Sequence, residues 1–156
     1  DNITIVRGNC DADVDQMVIK HPIESPFVHK VIDNISVLMD HGYTKSREEL
    51  LEEARSLSVD ILILGHTHVK ELSVESDIIV LNPGSTAIPK DGTHSVATIE
   101  ILSEENYSDE FELEINLIDI NTKEIIEIHD CDCGCNDHSH DGHCHDDHCH
   151  DDNCNC

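Results

Sequence analysis
Short β-branched runs separated by polar turns fill the chain as far as residue 129, and beyond it no aliphatic, Phe, Tyr or Trp side chain occurs. Ile3-Thr4-Ile5-Val6, Ile35-Ser36-Val37-Leu38-Met39 and Ile61-Leu62-Ile63-Leu64 predict strands, the last apolar throughout and therefore buried. Residues 71–74 and 77–81 predict two more around the polar Glu75-Ser76. Residues 95–101 and 109–120 alternate, most clearly where Phe111, Leu113, Ile115 and Leu117 interleave with Glu110, Glu112, Glu114 and Asn116, the pattern of half-buried antiparallel strands. Ile125, Ile126 and Ile128 finish that sheet. Ser46-Arg47-Glu48-Glu49 is a capping box, and Leu50, Leu51, Ala54 and Leu57 behind it share one face, so a helix to about Leu57 packs on a sheet. Residues 12–30, with Pro22 and Pro26, read as a connection with a short helix near 13–18. Strand-helix-strand early and strands late predict an α/β fold of two packed sheets with helices outside.

Four loops at predicted strand ends carry the candidate chemistry: Gly8-Asn9-Cys10-Asp11, His41-Gly42, Gly65-His66-Thr67-His68 and Asn82-Pro83-Gly84-Ser85. Ligands of open α/β sheets bind at the carboxyl ends of strands, and neutral imidazole is the commonest protein ligand for a transition metal. Taken alone, His66 and His68 are as readily exposed loop histidines as metal ligands. Asn9 reads by itself as a turn residue, Cys10 as a buried cysteine and Asp11 as a turn cap. The last loop reads by itself as a Pro-Gly turn.

In order and spacing these four loops resemble the calcineurin-like metallophosphoesterases, most closely the small single-domain prokaryotic phosphodiesterases, which carry Cys after the Gly-Asn. The resemblance covers roughly the first hundred residues. It implies a four-layer αββα sandwich of two mixed sheets flanked by helices. It also implies two divalent metal ions, manganese, nickel or another transition metal, with Asn9, His41 and His66 on one and His68 on the other. Cys10 and Asp11 fall at the family's catalytic position, although many relatives have His where Cys10 stands. The family opens with Asp-x-His on its first strand and a Gly-Asp loop after its second. Neither lies ahead of the Gly8 loop here, so the expectation is an N-terminally truncated fragment, with residues 1–129 the C-terminal portion of the domain, missing its N-terminal strands and inactive alone.

Composition narrows the partners. Nine basic residues against thirty-four acidic ones give no cationic patch for a phosphate backbone, which argues against nucleic acid as a general partner. An acidic protein acting on a phosphate ester must meet its charge with metal ions. No run approaches the roughly twenty apolar residues of a membrane span. The expectation is a cytoplasmic protein with a small phosphate-ester substrate, no membrane partner and room for a homo-oligomer.

Residues 130–156 are a second object. They hold seven of the eight Cys, six of the thirteen His, and eight Asp with no Lys, Arg or Glu, contributing −8 of the formal −25 and leaving −17 on residues 1–129. Cys131, Cys133, Cys135, His138, His140, His143, Cys144, His145, His148, Cys149, His150, Cys154 and Cys156 recur in near-pentapeptide units. Without apolar neighbours this cannot be a zinc finger, and the expectation is a disordered chelating tail for zinc, nickel, copper or cobalt. Thiols between aspartates with no fold to staple suit metal better than disulfides. Asp141-Gly142-His143 and Asp146-Asp147-His148 match Asp-x-His only formally, since no strand positions them. Two function classes follow. One is a binuclear metal-dependent phosphoesterase, either phosphodiesterase or phosphatase. The other is a non-catalytic scaffold, as in a retromer subunit resembling the family, or a metal store or chaperone. The four retained ligands favour the enzyme.

Overall fold
Apolar runs too short to stand alone gain their stability by pairing, and among the described residues they do so in three sheets. The structure is a computed structural model that describes residues 3–102 and 112–128. In order come β1 (Ile5–Val6), a 3₁₀ turn (Asp15–Met17), β2 (Ile23–Glu24), β3 (Phe27–Ile32) and β4 (Ile35–Asp40), then α1 (Arg47–Ser56) and β5 (Ile61–Ile63). β6 (Lys70–Glu75), β7 (Ile78–Pro83), β8 (Ser95–Leu102) and β9 (Glu112–Asp119) follow. The central sheet runs β3-β4-β5-β7-β6, while β1-β2 and β8-β9 form two-stranded sheets. β4, β5 and β7 are parallel, and the hairpins β3-β4 and β6-β7 close both sides. The mixed α/β architecture and the expected strands are present.

The parallel centre is buried on both faces because its residues are apolar on both. On one side Leu38, Leu62 and Val80 meet Leu50, Leu51 and Ala54 of α1. Each such leucine contributes roughly 1.5–3 kcal/mol by leaving water. The helix starts as its capping box requires: the Ser46 hydroxyl accepts from the Glu49 amide and the Glu49 carboxylate accepts from the Ser46 amide. Arg47 ties it to β6 through Glu71 and Glu75. On the other side Ile35, Val37 and Ile61 pack against Ile99, Ile101 and Leu113 of β8-β9. Helix, sheet and sheet are thus three stacked layers among the described residues.

The segment 12–30 departs from expectation, since β2 and β3 lie where a connection was foreseen. β3 is an edge strand with little burial, and the prolines before it mask its alternation. It turns into β4 through Asp33-Asn34, both at positive φ (47° and 68°), the conformation a two-residue hairpin of this hand requires and Asn and Asp tolerate. Ser76-Asp77, at 51° and 66°, does the same between β6 and β7. After β9 the chain folds back, the Ile126 amide donating to Leu117 O at 2.8 Å and Ile125 bridging Ile118. Among the described residues no helix is long and apolar enough to cross a membrane. The expectations for residues 109–111, Phe111 and Glu110 included, and for the whole 130–156 segment lie outside the described residues.

Candidate metal centre
Three histidines come together at the carboxyl end of the parallel strands. His41 directly follows β4, and His66 and His68 follow β5. All three line one cavity of ≈ 520 Å³, together with Gly84, Ser85 and Ser95. The His41 and His66 rings lie 5.3 Å apart, centroid to centroid, at 61°. Tyr43 packs edge-on against His41 at 5.4 Å.

The loop that carries His66 and His68 is held under strain. Both residues sit in the left-handed region, at φ 65° and 60°, where a non-glycine residue costs about 1–3 kcal/mol and persists only if its surroundings impose it. The imposition comes from Asn82, which is 2% exposed. Its Nδ2 donates to Gly65 O and to Thr67 Oγ1, both at 3.0 Å, and its Oδ1 accepts from the Gly84 amide at 3.0 Å. One buried amide therefore joins the two loops. The Asn-Pro-Gly run read only as a turn, and an Asn ending an apolar strand was the available signal of a positioning role.

Each ring is oriented by a different device. His68 Nδ1 lies 2.8 Å from Ile88 O; a carbonyl can only accept, so Nδ1 carries the proton and Nε2 keeps its lone pair, the usual arrangement of a metal-ligating histidine. His41 Nδ1 is buried with no hydrogen-bond partner among the described residues, an orphaned buried nitrogen of the kind that a bound ion would satisfy. Burial first, then the neighbouring His66, push the His41 imidazole below its ordinary value; Asp11 and Asp40 oppose the fall and His68 adds to it. At neutral pH the ring is the uncharged, ligating form. Asp40, 3% exposed, steadies the turn by accepting from the Gly42 amide at 2.7 Å.

The Gly8 loop packs beside His41. A Cβ on Gly8 would stand 2.9 Å from His41 Nε2, so only glycine lets this turn approach the ring. Asp11 closes the turn, its Oδ2 accepting from the Gly8 amide at 2.6 Å. Asn9 and Cys10 are exposed on that turn, Cys10 as a free thiol. Neither lines the cavity of the three histidines. Among the described residues no three His, Cys, Asp or Glu side chains converge on a point where they could hold an ion unaided. The donors fit a divalent transition metal in kind, being imidazoles, one of them with an unpartnered buried nitrogen, and supply part of a coordination sphere.

A family model described as the calcineurin-like phosphoesterase superfamily domain matches residues 1–104. The chain belongs to this superfamily. The phosphodiesterase YfcE of Escherichia coli K12 is 36% identical over 90 residues, 58% of this chain and 47% of that protein. The chain thus spans about half the length of this curated relative. The solved structure of the E. coli phosphoesterase Yfce aligns with a TM-score of 0.60 at 27% identity, covering 79% of this chain and 60% of that one. Vps29 of Entamoeba histolytica, solved in complex with Zn²⁺, aligns with a TM-score of 0.52 at 23% identity over 74% and 68%, a likeness of fold. The superfamily is one of metallophosphoesterases.

Proposed function
We propose that residues 1–129 belong to a binuclear metal-dependent phosphoesterase acting on small phosphate esters, either a phosphodiesterase or a phosphatase. In this reading His41 and His66, with Asn9 from the adjoining turn, hold one ion and His68 holds the other. Manganese and nickel are the ions for which this site is proposed, in a cytoplasmic protein. The observation that carries the reading is three imidazoles on one cavity, two of them fixed in left-handed backbone by a buried amide. Bound divalent ions would supply a nucleophile near neutral pH and positive charge for the phosphoryl oxygens. The chain's own residues position that chemistry. Asn82 locks the facing loops, Asp11 holds the Gly8 turn against His41, and the exposed Cys10 thiol is the candidate proton donor to the leaving group. The acidic surface gives no cationic groove, which agrees with a small substrate.

The thirteen Cys and His of the 130–156 segment are proposed to chelate zinc, nickel, copper or cobalt. Their density alone also favours a second reading, a metal store, chaperone or scaffold on a non-catalytic domain. One experiment separates the two. The protein encoded from its natural start should cleave bis-p-nitrophenyl phosphate once manganese or nickel is added, and His41→Ala or His66→Ala should abolish turnover. No turnover with any divalent metal, or full turnover in either variant, would remove the enzyme.

A further inference from the structure
His68 is held by a second segment, residues 88–91, and an inward-turned ion pair fastens that segment in place. The Ile88 carbonyl accepts from His68 Nδ1 at 2.8 Å, the Lys90 amide donates to His68 O at 2.9 Å, and the Lys70 amide donates to Asp91 Oδ2 at 2.8 Å. The same Asp91 oxygen lies 2.7 Å from Lys70 Nζ. Asp91 stands at the surface, yet its side chain is only 20% exposed and that of Lys70 only 12%. Ion pairs in open solvent contribute little, because water screens them and two long side chains must be frozen. Here the pair is turned away from water, and one carboxylate oxygen accepts from an amide and an ammonium at once. Gly84 makes room for it: a Cβ there would stand 2.9 Å from Lys70 Cγ, so the lysine stem crosses the glycine on its way to Asp91.

We infer that Lys70 and Asp91 are a positioning pair for His68, a latch that keeps the 88–91 segment against the histidine and so fixes which ring nitrogen is offered to a metal. The inference rests on the reading of His68 as a ligand. The Asn82 amide reaches Gly65, Thr67 and Gly84 and leaves the His68 ring to the Ile88 carbonyl. Ile88 is 68% exposed, so packing does not hold that carbonyl in place. Its amide donates to Ser85 Oγ at 3.0 Å, which anchors the start of the segment, and the bonds at Lys90 and Asp91 anchor its end. Without the latch the end is free to lift, and the ring can turn and exchange the roles of Nδ1 and Nε2. Outer partners that prevent this are worth about 10–100-fold in metal affinity. The pair acts one link further out, through Ile88, so its effect falls at the lower end, about ten-fold.

The test compares the full-length protein with Asp91→Ala, with Lys70→Met, which keeps the stem over Gly84 and loses the ammonium, and with the double variant. Ser46→Ala, on α1, is the control for a general loss of stability. In the metal-free proteins, nitrogen–proton correlation spectra of the imidazoles read the His68 tautomer without any turnover. The natural protein and Ser46→Ala should keep the proton on Nδ1, while both single variants should shift it toward Nε2, the form a histidine in water prefers. Manganese titration then reads the two ions. In Asp91→Ala one should bind about ten-fold more weakly and the other as before. Lys70→Met should move the same way, and the double variant should be no worse than Asp91→Ala, because the two side chains act as one unit. An unchanged His68 tautomer in Asp91→Ala, equal weakening of both ions, or the same effects in Ser46→Ala would overturn the inference. Failure of the metal-centred reading is distinct: the natural protein would bind no manganese, and the tautomer shift alone would decide whether the pair orients His68.

Discussion

Removing the Asn82 amide tests whether the left-handed histidine loop is imposed by its neighbours. In Asn82→Ala three hydrogen bonds are lost, two to Gly65 O and Gly84 N and one to Thr67 Oγ1. The threonine hydroxyl keeps its contact with the Val69 amide at 3.3 Å, so it counts for little. Gly65 and Gly84 are only half-buried, and water can partly replace the lost partners. Each therefore falls at the low end of the ~1–3 kcal/mol cost of a stranded polar group. Adding the void left by the amide gives a loss of about 2–3 kcal/mol, or roughly 5–10 °C in Tm for a domain of this size. Thermal unfolding of the metal-free protein reads the stability, and a cobalt or manganese titration reads the site. Affinity should fall along with Tm, because His66 and His68 can then relax from positive φ. A stability loss below about 0.5 kcal/mol, or unchanged metal affinity, would refute the reasoning.

Gly84→Ala places a Cβ 2.4 Å from Ser95 Oγ and 2.9 Å from Lys70 Cγ at φ +81°; it should destabilise by about 2 kcal/mol or more, and Ser95→Gly should restore only the steric part in a double-mutant cycle. Because the folded His41 pKa lies below the unfolded value near about 6.5, the unfolded chain binds more protons across the window between them. Stability should therefore decline as pH falls from about 6.5 through the folded value and level off below it. Urea titrations across that range should show a flatter profile in His41→Gln. Ser46→Ala should cost about 1 kcal/mol through the lost cap and leave kcat untouched, since α1 lies on the far face of the sheet from the cluster; a drop in kcat would refute that separation.

The parallel centre was legible because Ile61-Leu62-Ile63 and Ile35-Ser36-Val37-Leu38-Met39 are apolar beyond what a loop tolerates, and the capping box marked the start of α1. β3 escaped because an exposed edge strand carries no burial pattern, although Asp33-Asn34 offered a hairpin signal. Within the site, His41, His66 and His68 were readable from their places at strand ends, and the fold brings all three to one cavity. Asn9 and Cys10 were assigned a ligand and a catalytic role only through the family resemblance, and neither lines that cavity. Asp40's role was not legible, and that of Asn82 was signalled only by its place at the end of an apolar strand, since a buried amide that joins two loops is defined by contacts between segments distant in sequence.

Manganese binding is the most direct measure of the central claim, because soft thiolates of the 130–156 segment discriminate against it. In the full-length protein, free manganese followed by electron paramagnetic resonance should reveal two bound ions, and His41→Ala should leave one. Two ions bound equally tightly in His41→Ala, or none in the natural protein, would contradict the assignment of the cluster as a metal centre.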